Sequence, residues 1–302
     1  MEWIQQSNFE LNEYATAITW IPDGSGFTVA TADGEIVCFN ESLNSPKSSL
    51  VREIGNLRER DEFSIDALTY SANGKYLAAA GQAGELYIWN AGKLVTTLAY
   101  SGWINVLAWH PKRSLLAFAV GKIIHIWNAE TQIIESSLEQ QKSSVLGLAW
   151  NNEGTCLIAS GDRVVKSWHM QNWNAEPEVW ELTTACGTIG WSTGDRFFAA
   201  GCFDRTVIVA LELGSEDPWR MSGFPEKVSL LAWSSVINPE TGASMLATVS
   251  GDGVVIWDWN GEGWDGDVIV SDGGRVNTIA WQPGKLALAI GIEENVELRM
   301  LN

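Results

Sequence analysis

The chain has 302 residues, 46% of them apolar, enough to bury a sizeable core and to exclude wholesale disorder. Its 37 acids against 19 Lys and Arg give a formal charge of −18, a field that opposes phosphate backbones and anionic bilayers. Nucleic acid is disfavoured as a partner, and proteins with basic surfaces are favoured. Residues 1–14 carry acids where a signal peptide would carry Lys or Arg, and no stretch reaches 18 uninterrupted apolar residues. No membrane insertion is expected. Cys38, Cys156, Cys186 and Cys202 lack CxxC spacing and read as free thiols of a reducing compartment. The expectation is a cytoplasmic chain, monomeric on its own, with no cofactor.

In chain order, residues 2–11 are strand-like and belong to no repeat copy. One pattern then returns seven times: a short alternating strand ending in an aromatic, a turn, a second strand, a Gly-containing turn, and a third strand closed by an aromatic plus Asn or Asp. The copies begin at Ala17, Ala67, Val106, Gly147, Thr188, Leu230 and Thr278. Their first-strand aromatics are Trp20, Tyr70, Trp109, Trp150, Trp191, Trp233 and Trp281, spaced 39 to 50 residues apart. Two local causes lengthen the spacing, an enlarged connection over 41–64 and an enlarged turn in the sixth copy after Trp233. Turn residues agree: Pro22-Asp23-Gly24, Asn73-Gly74, Glu153-Gly154 and Gly284 sit where the chain must reverse. Fourth strands fit between copies, at 94–100, 132–138 and 178–184.

Strand-turn-strand-turn-strand ending in Trp-Asp or Trp-Asn (Trp89-Asn90, Trp127-Asn128, Trp257-Asp258) resembles the WD repeat, over essentially the whole chain. The resemblance implies an all-β fold: a seven-bladed β-propeller of four-stranded antiparallel blades, forming one domain over 1–302. A ring must close, and the seventh copy supplies only three strands. Residues 1–11 are expected to complete the last blade and leave no edge unpaired there. The sequence departs from the family in three ways. No copy has the Gly-His pair before its first strand, Ala210 replaces the closing Trp of the fifth copy, and Arg299 or Met300 stands there in the seventh. Packing rather than polar networks is expected to join the blades, since each buried Trp removes about 150–250 Å² from water.

Signs of chemistry are thin. His110, His125 and His169 have no partner of nucleophile or ligand type at a known spacing and read as surface or inter-blade residues. Gly261–Gly266 matches G-x-G-x-x-G, yet it opens no helix, and Glu262 and Asp265 would repel phosphate. Asp258, Asn260 and Glu262 resemble the start of a calcium loop whose twelfth position is Ile269, so a solvated acidic turn is favoured. Cys186 and Cys202 belong near one face of the fifth copy but have no basic neighbour to activate them, and inert thiols are expected.

These readings point to a non-catalytic scaffold or adaptor for other proteins, with assembly of a larger complex as a finer version. The alternative is a ligand- or metal-binding propeller, or a propeller enzyme, using the channel mouth. There the polar residues Asp66, Asn105, Ser229 and Asn277 are interrupted by Leu146 and Gly187. The resemblance implies one docking face, made by residues entering each first strand and by the second-to-third-strand turns. Those positions hold Tyr14, Asp66, Trp103, Asn105, Phe203, Lys227, Arg275, Asn277 and Glu293. Trp103 and Phe203 either dock partners or pack on the next blade. A second site is expected where Trp173, Trp219 and Trp264 stand among acids, counting Asp272, as a strip for a basic segment. The competing reading is that each ring only covers the end of its own sheet.

Overall fold

The computed structural model describes residues 2–40, 48–49, 64–138, 141–270 and 274–302. Most of the enlarged connection over 41–64 lies outside them, as does Asp272. Strand β1 (Trp3–Glu10) opens the chain. Blade 1 is β2 (Ala15–Trp20), β3 (Gly26–Thr31), β4 (Ile36–Asn40) and β5 (Ser48–Ser49). Blade 2 is β6 (Ile65–Tyr70), β7 (Tyr76–Gly81), β8 (Glu85–Asn90) and β9 (Lys93–Ala99). Blade 3 is β10 (Leu107–Trp109), β11 (Leu115–Val120), β12 (Ile123–Asn128) and β13 (Ile133–Ser137). Blade 4 is β14 (Gly147–Trp150), β15 (Cys156–Gly161), β16 (Val164–His169) and β17 (Glu178–Glu181). Blade 5 is β18 (Cys186–Trp191), β19 (Phe198–Cys202), β20 (Val207–Ala210) and β21 (Trp219–Met221). Blade 6 is β22 (Leu230–Ile237), β23 (Ser244–Ser250), β24 (Gly253–Trp259) and β25 (Trp264–Val270). Blade 7 is β26 (Val276–Trp281), β27 (Ala287–Ile292) and β28 (Asn295–Leu301), with β1 as its outer strand.

Each blade is a four-stranded antiparallel sheet in sequence order, except the last, whose order is β1-β28-β27-β26. β1 pairs with β28 from Trp3↔Leu301 to Glu10↔Asn295, joining the two ends of the chain in one sheet. Burial explains the composition of the strands. The second strands β3, β7, β15, β23 and β27 are buried at every residue, because a neighbouring blade covers each of their faces. Hence their runs of Ala, Val, Leu and Ile. Outer strands meet water and read polar or mixed, as in β9 and β13. The core lies between blades. Phe9, Trp20, Phe27 and Phe39 pack with Ala287, Val296 and Leu298 across the closing seam.

The first-strand tryptophans do more than pack. Trp20 donates its Nε1–H to Ala280 O (3.0 Å), Trp109 to Thr69 O (3.1 Å) and Trp150 to Ala108 O (3.1 Å). Trp233 donates to Gly190 O (3.2 Å) and Trp281 to Ala232 O (2.9 Å). In each case the acceptor is the residue just before the aromatic of the preceding blade. Tyr70 reaches across by another route, pairing its hydroxyl with Thr28 Oγ1 at 2.9 Å. The expectation that packing alone joins the blades is thus corrected. An indole ring fills the seam while its one donor finds the neighbouring backbone, so both jobs fall to one residue.

Candidate functional site

The position four residues before each first-strand aromatic holds Thr16, Asp66, Asn105, Leu146, Gly187, Ser229 and Asn277, all half-buried. In blades 1, 2, 5 and 7 the register shifts there, at Ala15/Ala17, Ile65/Ala67, Cys186/Thr188 and Val276/Thr278. A bulge adds an unpaired residue and re-aims its side chain. In three of these blades the kink aims a polar side chain, Thr16, Asp66 or Asn277, into one shared cavity. Thr16 is the member missed from the sequence, although the same register finds it. Its hydroxyl donates to Ala30 O and to Ile65 O, bridging blades 1 and 2.

Four of the nine expected docking residues come together in pairs from adjacent blades. Trp103 of blade 3 donates its Nε1–H to Asp66 Oδ2 of blade 2 at 2.8 Å. The Lys227 ammonium of blade 6 stands 5.2 Å above the Phe203 ring of blade 5. Gly187 makes room for that ring, since a Cβ there would lie 2.7 Å from Phe203 Cε1. Arg275 of blade 7 pairs with Glu226 of blade 6 at 3.4 Å, and its backbone N–H donates to Glu293 Oε1 at 3.2 Å. Glu226 carries no signal in the sequence, because nothing there shows which acid Arg275 reaches. Tyr14, Asp66, Arg275, Asn277 and Glu293 line one open cavity of about 450 Å³ with Ala15 and Thr16. Asn105 and Lys227 stand apart from it. Among the described residues the exposed Trp, Tyr and Phe side chains are Tyr14 (44%), Trp103 (51%) and Phe203 (44%). All three sit at first-strand starts or the turn beside them, on this end of the blades.

The rim tryptophans are arranged otherwise. Trp173 meets Trp150 edge-on at 5.7 Å, in the seam of blades 3 and 4. Trp219 and Trp264 share a different cluster with Phe197 and Trp259, at centroid distances of 5.0 to 6.0 Å. All three rings are half-buried.

Two histidines serve the fold. His110 is buried and tilted against Trp150, and the N–H groups of Lys112 and Arg113 donate to its Nδ1 (2.9 and 3.0 Å). Nε2–H therefore donates to Gly154 O at 2.9 Å, and burial pushes the imidazole below its ordinary value. His125 lies against Tyr100 and Phe118, also pushed down by burial, and His169 is exposed. At the acidic turn Asn260 Oδ1 accepts from Glu262 N (2.9 Å) and Gly263 N (2.8 Å). Among the described residues no three His, Cys, Asp or Glu side chains converge as metal ligands.

The cysteines require a correction. Cys186 and Cys202 are not free thiols: they face each other across β18 and β19 with Cα atoms 4.0 Å apart and form a disulfide. Sixteen residues of separation hide this in the sequence, because only the strand register brings the two together. Cys38 and Cys156 are free, and burial pushes the Cys156 thiol up to about 11. With Cys186 and Cys202 paired, the cysteines no longer point to a reducing compartment. Among the described residues, no helix is long and apolar enough to cross a membrane.

A family model described as "WD domain, G-beta repeat" matches residues 133–169, from the outer strand of blade 3 through three strands of blade 4. The chain is a seven-bladed β-propeller, and this segment of it matches the WD repeat. The propeller is 33% identical over 107 residues to a Caenorhabditis elegans protein, "Small ribosomal subunit protein RACK1". That match covers 32% of this chain and about a third (33%) of the relative's length. A chain of the solved structure "Crystal Structure of Mitotic Checkpoint Complex" superposes with a TM-score of 0.81, over 98% of the propeller and 91% of that chain. At 18% identity this likeness shows the fold alone.

Proposed function

We propose that the propeller is a non-catalytic scaffold that docks partner proteins at the channel-mouth face, holding parts of a larger complex together. The observation that carries this is the placement of Tyr14, Trp103 and Phe203, all exposed on one end of the blades beside a charged cavity. Exposed aromatics beside Arg are the side chains that dominate interface energetics, because they bury large area at low entropic cost. Asp66, Asn105, Lys227, Arg275, Asn277 and Glu293 supply the polar surround. The relative carries a ribosomal-subunit name, which supports protein partners. The charge of −18 favours partners with basic surfaces and a salt-sensitive encounter.

The double variant Trp103→Ala with Arg275→Ala tests this. Both side chains are exposed and their pairs are of the weak surface kind, so the melting temperature should stay nearly unchanged. Co-purification of the main partner from the native source should fall. Unfolding of the variant, or full retention of every partner, overturns the assignment of this face.

A further inference from the structure

The outer strands present the free backbone edges of the blades, and most are blunted as edges usually are. β5, β17 and β21 have 2, 4 and 3 residues. β1, β9 and β13 carry bulges, at Gln5/Ser7, beside Trp89 and beside Trp127. β25 is neither short nor bulged. It pairs with β24 through seven consecutive residues, from Trp259↔Trp264 to Gly253↔Val270, and among the described residues no strand lies on its other side.

Hydrogen bonding alternates along an antiparallel pair. Asn260 N–H donates to Gly263 O at the mouth of this hairpin, which puts Asp258/Asp265 and Ile256/Asp267 in the bonded set. The N–H and C=O groups of Trp264, Gly266 and Val268 then point outward. Thr248 Oγ1 donating to Val255 O agrees, since Val255, opposite Val268, turns its backbone toward β23.

The two faces of this edge differ in chemistry. One carries Asp265 and Asp267, and the sequence has no Lys or Arg from Val254 to Gly274. Asp258, opposite Asp265, has its carboxyl pushed up by burial and by that neighbour's charge. The other face carries Val268, 65% exposed, and Gly266, whose missing side chain leaves the half-buried Trp257 ring lying across the strand. A Cβ at Gly266 would lie 2.8 Å from Trp257 Cζ3.

We propose that the β25 edge of blade 6 accepts an extended segment of a partner protein as a fifth strand, with basic and apolar side chains alternating. Main-chain bonds to Gly266 and Val268 supply the ladder. Lys or Arg side chains meet Asp265 and Asp267, while apolar ones cover Val268 and the Trp257 ring. A second copy of this chain is disfavoured as the occupant, because pairing two such edges sets acids against acids. This site lies on the rim and is independent of the channel-mouth face.

The test is binding of a labelled synthetic peptide alternating Arg with Val, read by fluorescence anisotropy against the full chain. Val268→Pro removes an outward N–H that makes no bond to β24, so the blade should tolerate it. Binding of the alternating peptide should weaken by about tenfold or more with Val268→Pro. It should weaken similarly when the peptide is N-methylated at its ladder-facing residues. Asp265→Asn with Asp267→Asn should flatten the salt dependence. Equal binding of a peptide with its Arg and Val residues in separate blocks, or indifference to N-methylation, overturns the proposal. So does a β25-dependent dimer of the chain. The N-methylated peptide reads the same bonds from the partner's side, so the test stands even where Val268→Pro lowers the melting temperature.

Discussion

In blade 3 the first-strand Trp109 is tied to Thr69 O, the closing Trp127 is almost fully buried, and His110 reaches over to Gly154 O of blade 4. In blade 5 the corresponding Trp191 has its Nε1 out of water with no partner, the closing position is Ala210, and no histidine follows. Blade 5 instead carries the Cys186–Cys202 disulfide between its first two strands. Toward blade 4 it uses a carboxylate, Asp195 accepting from the N–H groups of Asn152 (2.6 Å) and Glu153 (3.0 Å). Two blades of one topology are held by different means, one by rings that also hydrogen-bond across the seams, the other by a covalent link within the blade and a carboxylate cap. What the propeller requires is a repeated geometry, and several residue types satisfy it.

The largest effect should come from taking blade 3 toward blade 5. Trp127→Ala empties a nearly fully buried site and should cost about 3–5 kcal/mol in urea unfolding. A cost near that of an ordinary surface change would mean that blade 3 resembles blade 5 in not needing its closing ring.

Breaking blade 5 comes next. The disulfide spans 16 residues, and closing a loop of about that length stabilises a chain by about 3 kcal/mol in the chain-entropy description. Reduction, or Cys202→Ala, should lower the unfolding midpoint accordingly and leave a Cys38→Ala chain sensitive to reductant. Alkylation in denaturant without reductant should label two cysteines. Four labelled cysteines would show that the bond does not form.

Much of this architecture is legible in the residues. The seven copies, their first-strand aromatics and the need for an N-terminal closing strand follow from a repeat in the chain itself. One register in the sequence places Asp66, Asn105 and Asn277 alike and holds Thr16 too, which its ordinary residue type leaves inconspicuous; of these, Thr16, Asp66 and Asn277 line one cavity. What stays hidden depends on pairing across the sheet or the seam. Cys186 finds Cys202 only through strand register, and Trp20 finds Ala280 O only once the ring closes. Trp20, Trp109, Trp150, Trp233 and Trp281 all donate to a backbone carbonyl, which leaves no residue signature.

His110 sharpens the comparison by pH. Its folded-state value lies below the ordinary 6.5 because burial disfavours the charged form. The unfolded chain therefore binds the proton more readily, and stability rises with pH across this window. The contribution is complete above about 6.5 and is lost as pH falls from there through the folded value. His110→Gln, which cannot titrate, should flatten that part of the stability profile. An unchanged slope would assign the acid sensitivity to other groups.

The smallest effect separates the two first-strand tryptophans. Trp109→Phe removes a donor whose acceptor, Thr69 O, is left behind, and loss of such a bond costs about 1–3 kcal/mol. Trp191→Phe removes a donor that satisfies nothing, while a phenyl ring can keep the edge-on contact with Phe198, now 5.6 Å between centroids. Relief of an unpaired buried N–H offsets the lost area, so the change should fall within about 0.5 kcal/mol of the parent. Both variants can be read by the same urea titration, and their difference is the quantity of interest. A Trp191→Phe cost equal to that of Trp109→Phe would mean that the indole N–H of Trp191 has a partner after all, such as an ordered water within the blade 4–blade 5 seam. A near-zero cost would place that seam's polar stability in the bonds that Asn152 and Glu153 make to Asp195 and Ser192.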